Sequence, residues 1–267
     1  MKHPLIIGAG LVGGALAKHL PNATVWSRSR GFDLADEATW PDATGFDVVF
    51  FCAALARMNQ CESDPAGTAH INVTQTIKLL EKLQQNGTHC VFLSTNQVFD
   101  GSKPFIEANA PTSPLNEYGR QKVVVEEWCN AHDHCAVLRL SKVIAPEMPL
   151  FDGWFAGWAR GEAAEAFADM SLAPVWIDDV VAALVQMGQE KRVGIQQISG
   201  SEDVSYAEVA RRLAPQKDLV KAISYRDKGI PNIHSARYSS YQVTIGTART
   251  VDSVLSLWRN SQKSTTS

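Results

Sequence analysis

A tyrosine and a lysine four residues apart are the residues of this 267-residue sequence whose types and spacing most directly suggest chemistry. Tyr118 and Lys122 share one face if their segment is helical. A phenol titrates near pH ~10 and is a weak acid at neutral pH, and a neighbouring ammonium stabilises the phenolate and lowers its pKa. Such a pair can give a proton to a carbonyl oxygen whose carbon accepts hydride. Thr95, which follows a strand-like run, can hydrogen-bond to the same carbonyl.

A glycine-rich turn is the second chemical signal. Residues 8–13, Gly-Ala-Gly-Leu-Val-Gly, stand between a strand-like run at Leu5–Gly8 and a helix-like segment at Leu11–Leu20. Glycine lets backbone approach a pyrophosphate, and the N–H groups that begin a helix bind its charge. We therefore predict a dinucleotide site, with an ordinary packing turn as the alternative. The predicted contacts are Gly8, Gly10, Leu11, Val12 and Gly13.

The turn after the second predicted strand bears on which dinucleotide binds. An NAD site places Asp or Glu there to bind the ribose 2′-hydroxyl. Here residues 27–30 are Ser-Arg-Ser-Arg, and guanidinium and hydroxyl groups suit a 2′-phosphate. NADP(H) is therefore favoured over NAD(H), with Ser27 and Arg28 as ligands, and a solvated basic turn is the alternative. Asp33 and Leu34 are better placed for the adenine edge.

Alternating strand and helix patterns organise the first half of the chain. The predicted strands are Leu5–Gly8, Thr24–Trp26, Asp47–Phe51, Cys90–Leu93 and Val137–Leu140, and the predicted helices are Leu11–Leu20, Thr68–Gln85 and Tyr118–Asn130. This alternation predicts an α/β protein with a Rossmann-type doubly wound parallel sheet and a small C-terminal substrate-binding region. The Tyr118 segment follows the fourth strand, where the nicotinamide end of the cofactor should lie.

The regular alternation of strand and helix patterns ends near residue 145. We predict an NADP-binding domain at 1–145, a substrate-binding region at 146–260 whose part near 175–200 returns to the main sheet, and a frayed polar tail at 261–267. Prolines, glycines and aromatic residues fill the stretch from Pro146 to Trp158, which resembles a pocket lid. Trp154 within it is predicted to stack on substrate, and packing in the core is the alternative.

Longer motifs extend these signals. They are Gly31-Phe-Asp-Leu-Ala-Asp36, Asp47–Ala54, Glu62–Pro65, His70–Asn72, Leu93-Ser-Thr-Asn-Gln-Val-Phe-Asp-Gly101, Pro114-Leu-Asn-Glu-Tyr-Gly-Arg-Gln-Lys122 and Leu138–Ser141. The chain resembles an extended short-chain dehydrogenase/reductase and is most similar to the dTDP-4-dehydrorhamnose reductase (nucleotide-sugar 4-ketoreductase) group. The resemblance implies a reductase that moves hydride from NADPH to the ketone of a nucleotide-linked 4-keto sugar. Towards the C-terminus it is limited to scattered residues such as Pro231 and Ser235.

The resemblance also implies roles for individual residues. Thr95, Tyr118 and Lys122 would be catalytic, with Tyr118 as the proton donor. Lys122 would also hold the nicotinamide ribose, and Ala53 and Ala54 would line the cofactor path. Two further possibilities stay open at this point: a nucleotide-sugar epimerase that uses the same Tyr and Lys, and an NADP-binding regulatory subunit without catalysis.

The chain departs from the group after the predicted catalytic threonine. An Asp-Tyr pair usually follows it, whereas this chain has Asn96 and Gln97. Two amides cannot transfer protons, so a 4,6-dehydratase is disfavoured. Because that tyrosine normally faces substrate, both residues become candidate substrate contacts. The full predicted set of substrate contacts is Thr95, Asn96, Gln97, Tyr118 and Trp154.

Composition limits the partners. Twenty-five basic and 28 acidic residues give a net charge of −3, so there is no electrostatic reason to expect nucleic acid as a partner. The longest apolar run, Val48–Ala56, is about half as long as a segment must be to cross a bilayer. Five cysteines without a Cys-x-x-Cys pair suit a reducing compartment, so we expect a cytoplasmic monomer or homodimer. No metal is predicted, because the ligand-like Cys129–Cys135 spacing spans a helix end and a strand start, where side chains diverge.

Overall fold

A computed structural model of the protein describes residues 1–228 and 237–264. Pro231, Ser235 and residues 265–267 of the predicted tail lie outside the described residues. The strands are β1 (Pro4–Ile7), β2 (Thr24–Trp26), β3 (Val48–Phe51), β4 (His89–Thr95), β5 (Cys135–Leu140), β6 (Val143–Ile144), β7 (Ala164–Phe167), β8 (Ser171–Leu172), β9 (Val175–Trp176), β10 (Gly194–Ile198), β11 (Val204–Ser205) and β12 (Val220–Ile223).

The helices follow the strands in alternation through the first half of the chain. They are α1 (Leu11–His19), α2 (Met58–Ser63), α3 (Pro65–Ala69), α4 (Thr76–Gln85), α5 (Glu117–Asn130), α6 (Pro149–Ala159), α7 (Ile177–Glu190), α8 (Tyr206–Leu213) and α9 (Val251–Ser264). The helix predicted at Thr68–Gln85 is divided, because a π-helical turn at His70–Gln75 joins α3 to α4. No helix within residues 1–228 and 237–264 combines the length and apolar content that a membrane crossing requires.

Six parallel strands form the central sheet, in the order β10-β5-β4-β3-β1-β2. The chain begins at β1, moves outward to β2 and then crosses to β3 on the other side of β1. The carboxyl ends of the strands on either side of that reversal leave a crevice, which is where open α/β sheets bind ligands. The predicted α/β class with a Rossmann-type doubly wound sheet is confirmed.

Helices cover both faces of the sheet because its strands are apolar on both sides. All four residues of β3 are buried. Phe50 packs with α1 and α7 on one face, and Val49 packs with α4 and α5 on the other. Alternation of side chains along a strand produces this division, and near-continuous apolar strands are typical of parallel sheets covered on both faces.

Residues after 145 form a second apolar core and also return to the sheet. Three two-stranded sheets, β6–β9, β7–β12 and β8–β11, stand around α6, α8 and α9. The segment 175–200 supplies α7 to one face and β10 to the edge of the main sheet. The last helix runs to Ser264, so its final turn occupies residues that we expected to belong to a frayed tail.

The stretch expected to be a lid is the helix α6. Pro149 lies in its first turn, where a missing backbone N–H costs nothing. Three of its four aromatic side chains turn inward: Phe151, Trp154 and Trp158 are buried, and the Phe151 ring centroid lies 5.5 Å from that of Trp154 and 5.2 Å from that of Trp258 on α9. Core packing therefore accounts for these three residues, whereas Phe155 is 39% exposed.

A buried ion pair joins α5 to the sheet. Arg139 on β5 and Glu126 on α5 are 1% and 2% exposed. The Arg139 Nη2 donates to Glu126 Oε2 at 2.6 Å, Nε lies 3.0 Å from Oε1, and Nη1 donates to the Ala108 carbonyl and to Gln197 Oε1. The helix that this pair ties to β5 also carries Tyr118 and Lys122.

Candidate active site

A cavity of about 350 Å³ lies at the carboxyl ends of β1, β2 and β3, where the strand order reverses. We call it the glycine-turn cavity, and it is lined by Gly8, Ala9, Gly10, Trp26, Ser27, Arg28, Ser29, Phe32, Leu34, Cys52, Ala53, Ala54, Leu55 and Ile71. Seven predicted cofactor contacts are in this lining: Gly8, Gly10, Ser27, Arg28, Leu34, Ala53 and Ala54. A mostly apolar cleft with one cation at its rim suits a dinucleotide.

The three glycines of the turn have different reasons to be glycine. Gly8 has φ = 95°, and a Cβ there would lie 2.7 Å from the Ala53 nitrogen. A Cβ on Gly13 would lie 1.9 Å from the Gly8 carbonyl oxygen. A Cβ on Gly10 would meet nothing within 4 Å, so packing does not explain this glycine. The open space in front of Gly10 is where a ligand can come close to the backbone.

The start of α1 faces this open space. Gly10 is its N-cap, with no side-chain cap hydrogen bond, and its first turn has no acidic residue. Gly13 is buried and the half-buried Val12 packs against apolar core, so the structure places both behind the turn instead of on the cavity surface. Leu11 is 46% exposed and lines the neighbouring cavity. The free N–H groups of the first turn remain available for an anion.

The basic turn lies at the rim of the glycine-turn cavity. The Arg28 side chain is 68% exposed, and its Nε lies 3.8 Å from Asp33 Oδ1. The Asp33 carboxylate also accepts the Ala35 N–H at 3.0 Å and does not line the cavity. Asp33 therefore bonds within its own turn and lies outside the lining of this cavity, and its contact with the adenine edge stays a prediction. Ser27 Oγ lies 3.0 Å from Ser29 Oγ, so two hydroxyls flank Arg28.

A second cavity of about 340 Å³ lies beside the first. We call it the tyrosine cavity, and its lining is Leu11, Ala56, Met58, Thr95, Asn96, Gln97, Tyr118, Ser141, Lys142, Val143, Met170, Ser171, Leu172, Tyr206 and Ser239. Four of the five predicted substrate contacts lie in it. The fifth, Trp154, is 6% exposed and packs in the α6–α9 core instead. Inward-facing aromatic packing on α6 is the reason for this correction.

The tyrosine and lysine lie on one face of α5, but their ionisation differs from what the sequence suggests. Lys122 is 4% exposed, and its Nζ donates to the Leu93 carbonyl at 2.8 Å and lies 5.8 Å from the Tyr118 ring centroid. Burial lowers the pKa of Lys122 to about 8. Burial raises the pKa of Tyr118 above its usual value, opposite to the expected lowering. The ammonium is directed at a carbonyl, so it does not offset the burial of the phenol.

Thr95 ends β4 inside the same cavity. Its Oγ1 accepts the Gln97 N–H at 3.2 Å. The hydroxyl hydrogen has only a 3.5 Å contact with Asn96 Oδ1, which is at the outer limit of a hydrogen bond. That hydrogen is therefore available to a carbonyl oxygen placed between Thr95 and Tyr118.

Two amides position the segment that lines both cavities. Asn72 Oδ1 accepts the Leu55 N–H at 2.8 Å, and its Nδ2 donates to the Leu55 carbonyl and, at 2.7 Å, to Gln121 Oε1. Gln121 precedes Lys122, so the chain after β3 is tied to the helix that carries the candidate catalytic pair. Sequence reasoning included Asn72 in a motif but gave it no role, because its partners are 17 and 49 residues away.

Lys142 and Tyr206 are site residues that sequence reasoning missed. Lys142 is the one charged side chain in the described lining of the tyrosine cavity, and desolvation lowers its pKa. It lies two residues after the end of β5, at the edge of the sheet where ligands bind, and this position is the signal that could have identified it. Among the described residues, no cluster of three or more His, Cys, Asp or Glu could hold a metal ion.

Known proteins are similar to this chain in sequence and in fold. Residues 2–265 match the family model for the RmlD substrate binding domain. A dTDP-4-dehydrorhamnose reductase from Sinorhizobium fredii is 26% identical over 237 residues, or 83% of this chain and 79% of that protein. The probable low-salt glycan biosynthesis reductase Agl14 of Haloferax volcanii is 27% identical over 154 residues, 55% of this chain, and the match spans about half (51%) of its length. The crystal structure of a dTDP-4-dehydrorhamnose reductase from Bacillus anthracis in complex with NADP has a TM-score of 0.83, at 18% identity, over 97% of this chain and 99% of that one.

Proposed function

Because the chain belongs to the RmlD substrate binding domain family and is similar to a dTDP-4-dehydrorhamnose reductase over 83% of its length, we propose that it reduces the ketone of a nucleotide-linked 4-keto sugar with NADPH. The family and enzyme class predicted from the sequence are confirmed. One observation carries the proposal. Thr95 and Tyr118 open into one cavity, and the glycine-turn cavity lies next to it.

The residues of the tyrosine cavity divide the proposed chemistry between them. NADPH, when bound, supplies the hydride. The Thr95 hydroxyl hydrogen-bonds to the ketone oxygen and increases the positive character of the carbonyl carbon. Tyr118, which like any phenol of ordinary or raised pKa is protonated at neutral pH, donates its proton to that oxygen as it becomes an alkoxide. Because a proton donor must begin the step protonated, a neutral phenol suits the direction of reduction.

Lys122 supports this step from behind the cavity. Its ammonium is buried on α5 and lies 5.8 Å from the ring centroid of Tyr118, which lines the tyrosine cavity. We assign it to the nicotinamide ribose hydroxyls and to stabilising the phenolate that Tyr118 leaves behind. The groups that fit the dinucleotide are the open backbone at Gly10, the free N–H groups of α1 and the rim guanidinium of Arg28.

Arg28 is proposed to select NADPH by binding the 2′-phosphate. Arg28→Ala should raise the KM for NADPH by about 10- to 100-fold, because charge-assisted hydrogen bonds are lost. The KM for NADH should stay within about twofold, since NADH has no phosphate there. Steady-state kinetics with both cofactors measure this. Arg30→Ala is the matched control, because Arg30 is exposed and outside the cavity lining; an equal loss with both cofactors would contradict the assignment.

The proposed function is tested by mixing the protein with NADPH and a panel of dTDP- and UDP-linked 4-keto sugars. We expect a fall in absorbance at 340 nm with at least one of them, and one equivalent of reduced sugar for each NADPH consumed. No fall with any member of the panel would rule the function out. The five free cysteines support our further proposal that the enzyme works in the reducing cytoplasm.

A further inference from the structure

The Gln97 side chain is held by a chain of hydrogen bonds that begins at the first turn of α5. Asn116 is the N-cap of α5, and its Oδ1 accepts the Gly119 N–H at 2.8 Å. A backbone N–H can only donate, so the Asn116 atom that faces it must be the oxygen. The other end of the Asn116 amide is therefore its NH₂ group.

This NH₂ group determines the orientation of the next amide. Asn116 Nδ2 donates to Gln97 Oε1 at 2.7 Å. Because an NH₂ group only donates, Gln97 must place its oxygen there and direct its own NH₂ group elsewhere. Gln97 is half-buried and lines the tyrosine cavity, and no described residue accepts a hydrogen bond from its Nε2.

The backbone of Gln97 is held as firmly as its side chain. Its N–H donates to Thr95 Oγ1. A Cβ on Gly119 would lie 2.1 Å from the Gln97 carbonyl oxygen, so α5 rests directly on this peptide. The amide therefore has a defined place relative to Thr95 and Tyr118, the two groups assigned to the ketone.

We propose that Gln97 is a specificity-determining residue, which presents two N–H donors to an oxygen of the sugar and is kept in that orientation by Asn116. The inference rests on the proposed function and extends it. The substrate must carry, at the position that faces Gln97, an oxygen that accepts hydrogen bonds, and a deoxy sugar at that position binds more weakly. An amide locked as a donor discriminates by this requirement, because an unpaired N–H is left when the oxygen is missing.

The rest of the cavity agrees with an acceptor-rich ligand. Its described lining contains no carboxylate, and its one charged group is the ammonium of Lys142, which can only donate. The remaining polar groups, apart from Asn96, are hydroxyls, which can donate or accept. The fixed preferences of Gln97 and Lys142 both favour oxygen acceptors on the substrate.

Asn116→Asp tests the orienting role of Asn116 most directly. Aspartate is as good an N-cap as asparagine, and although position 116 is buried, the Gln97 amide can turn to donate its NH₂ group to the new carboxylate, so α5 should keep its stability. It has no N–H to give to Gln97, so the amide is released and can turn its oxygen to the cavity. We expect the KM for the sugar to rise about three- to tenfold, with kcat within about twofold and an unchanged melting temperature. Gln97→Met should raise KM by the same factor, and Gln97→Glu by more than tenfold, since a carboxylate oxygen then faces the substrate oxygen.

The two variants should not be additive. Gln97→Met/Asn116→Asp should be no worse than Gln97→Met alone, because the role of the Asn116 NH₂ is to orient Gln97. The same variants are then compared on pairs of keto sugars that differ by one oxygen. For the oxygen at one sugar position, wild type should have a lower KM for the sugar that carries it, and Gln97→Met should have similar KM values for both sugars. Additive losses, an unchanged KM in Asn116→Asp, or discrimination retained by Gln97→Met would each overturn the proposal.

Binding separates this inference from the proposed function. Isothermal titration with UDP-glucose and dTDP-glucose needs no turnover, and the dissociation constants should follow the order wild type, Asn116→Asp, Gln97→Glu. If the dissociation constants follow that order but wild type reduces no keto sugar, the proposed function fails and the Gln97 inference stands. If wild type reduces keto sugars and the variants change neither binding nor KM, the Gln97 inference alone fails. If wild type binds neither sugar and reduces none of the panel, both fail.

Discussion

Tyr118→Phe is expected to lower kcat for ketone reduction by about 10²- to 10⁴-fold, the range of a lost general acid. The phenylalanine ring fills the same space, and none of the described residues hydrogen-bonds to the Tyr118 hydroxyl. The melting temperature should therefore not change. The NADPH dissociation constant, measured by fluorescence titration, should stay within about twofold, because Tyr118 does not line the glycine-turn cavity. Single-turnover measurement of NADPH oxidation isolates the chemical step.

Tyr206→Phe is the matched control for this variant. Tyr206 is the second phenol in the tyrosine cavity and is half-buried, but it stands at the start of α8, packs against the second apolar core and has no assigned part in the proton transfer. It should keep kcat within about threefold of wild type. Comparable losses in the two variants would mean that removal of any cavity phenol disturbs the site, and retention of activity within tenfold in Tyr118→Phe would exclude it as the proton donor.

Glu126→Ala is expected to lower the free energy of unfolding by about 3–5 kcal/mol, because it leaves the buried Arg139 guanidinium without its carboxylate. The effect exceeds that of most core substitutions of similar size, since a buried charge must be desolvated and has no other carboxylate within reach among the described salt bridges. Equilibrium unfolding in urea, followed by tryptophan fluorescence, gives the measurement.

Two variants decide whether charge is the cause. Glu127→Ala removes an exposed carboxylate one position away on α5, and should cost less than about 0.5 kcal/mol. Glu126→Leu/Arg139→Met removes both charges and keeps the volume, so it should recover most of the loss. If the double variant is as unstable as Glu126→Ala, shape and not the unpaired charge explains the cost. A single-variant loss below about 1 kcal/mol would contradict the prediction outright.

Local features of the chain made much of this protein predictable. A glycine turn between a strand and a helix, apolar runs separated by helical spacing, and a Tyr/Lys pair at i and i+4 depend only on neighbouring residues. They led to the doubly wound sheet, and the structure brings Tyr118 and Thr95 together in one cavity beside a second that contains Gly8, Gly10 and Arg28. The longer motifs led to the family. Each signal is local, because backbone conformation and helix faces repeat over a few residues.

Other properties were decided only by residues that are distant in sequence. Trp154 was expected at the substrate and packs in the second core, because Trp258 and its neighbours on α9 complete an apolar surface for α6. The pKa of Tyr118 rises because the folded chain buries the phenol and directs the Lys122 ammonium to the Leu93 carbonyl. Spacing alone contains neither the burial nor the competing partner.

The sequence by itself determined the fold class, the family and the positions of the chemical groups, since these follow from local conformation and from motifs. Tertiary structure decided the direction in which the pKa of Tyr118 shifts, the ion pair between Glu126 and Arg139, and the direction of the Gln97 amide. These properties depend on how deeply a group is buried and on which partner it contacts. Burial and contacts of this kind arise only when strands and helices that are far apart in the chain pack together.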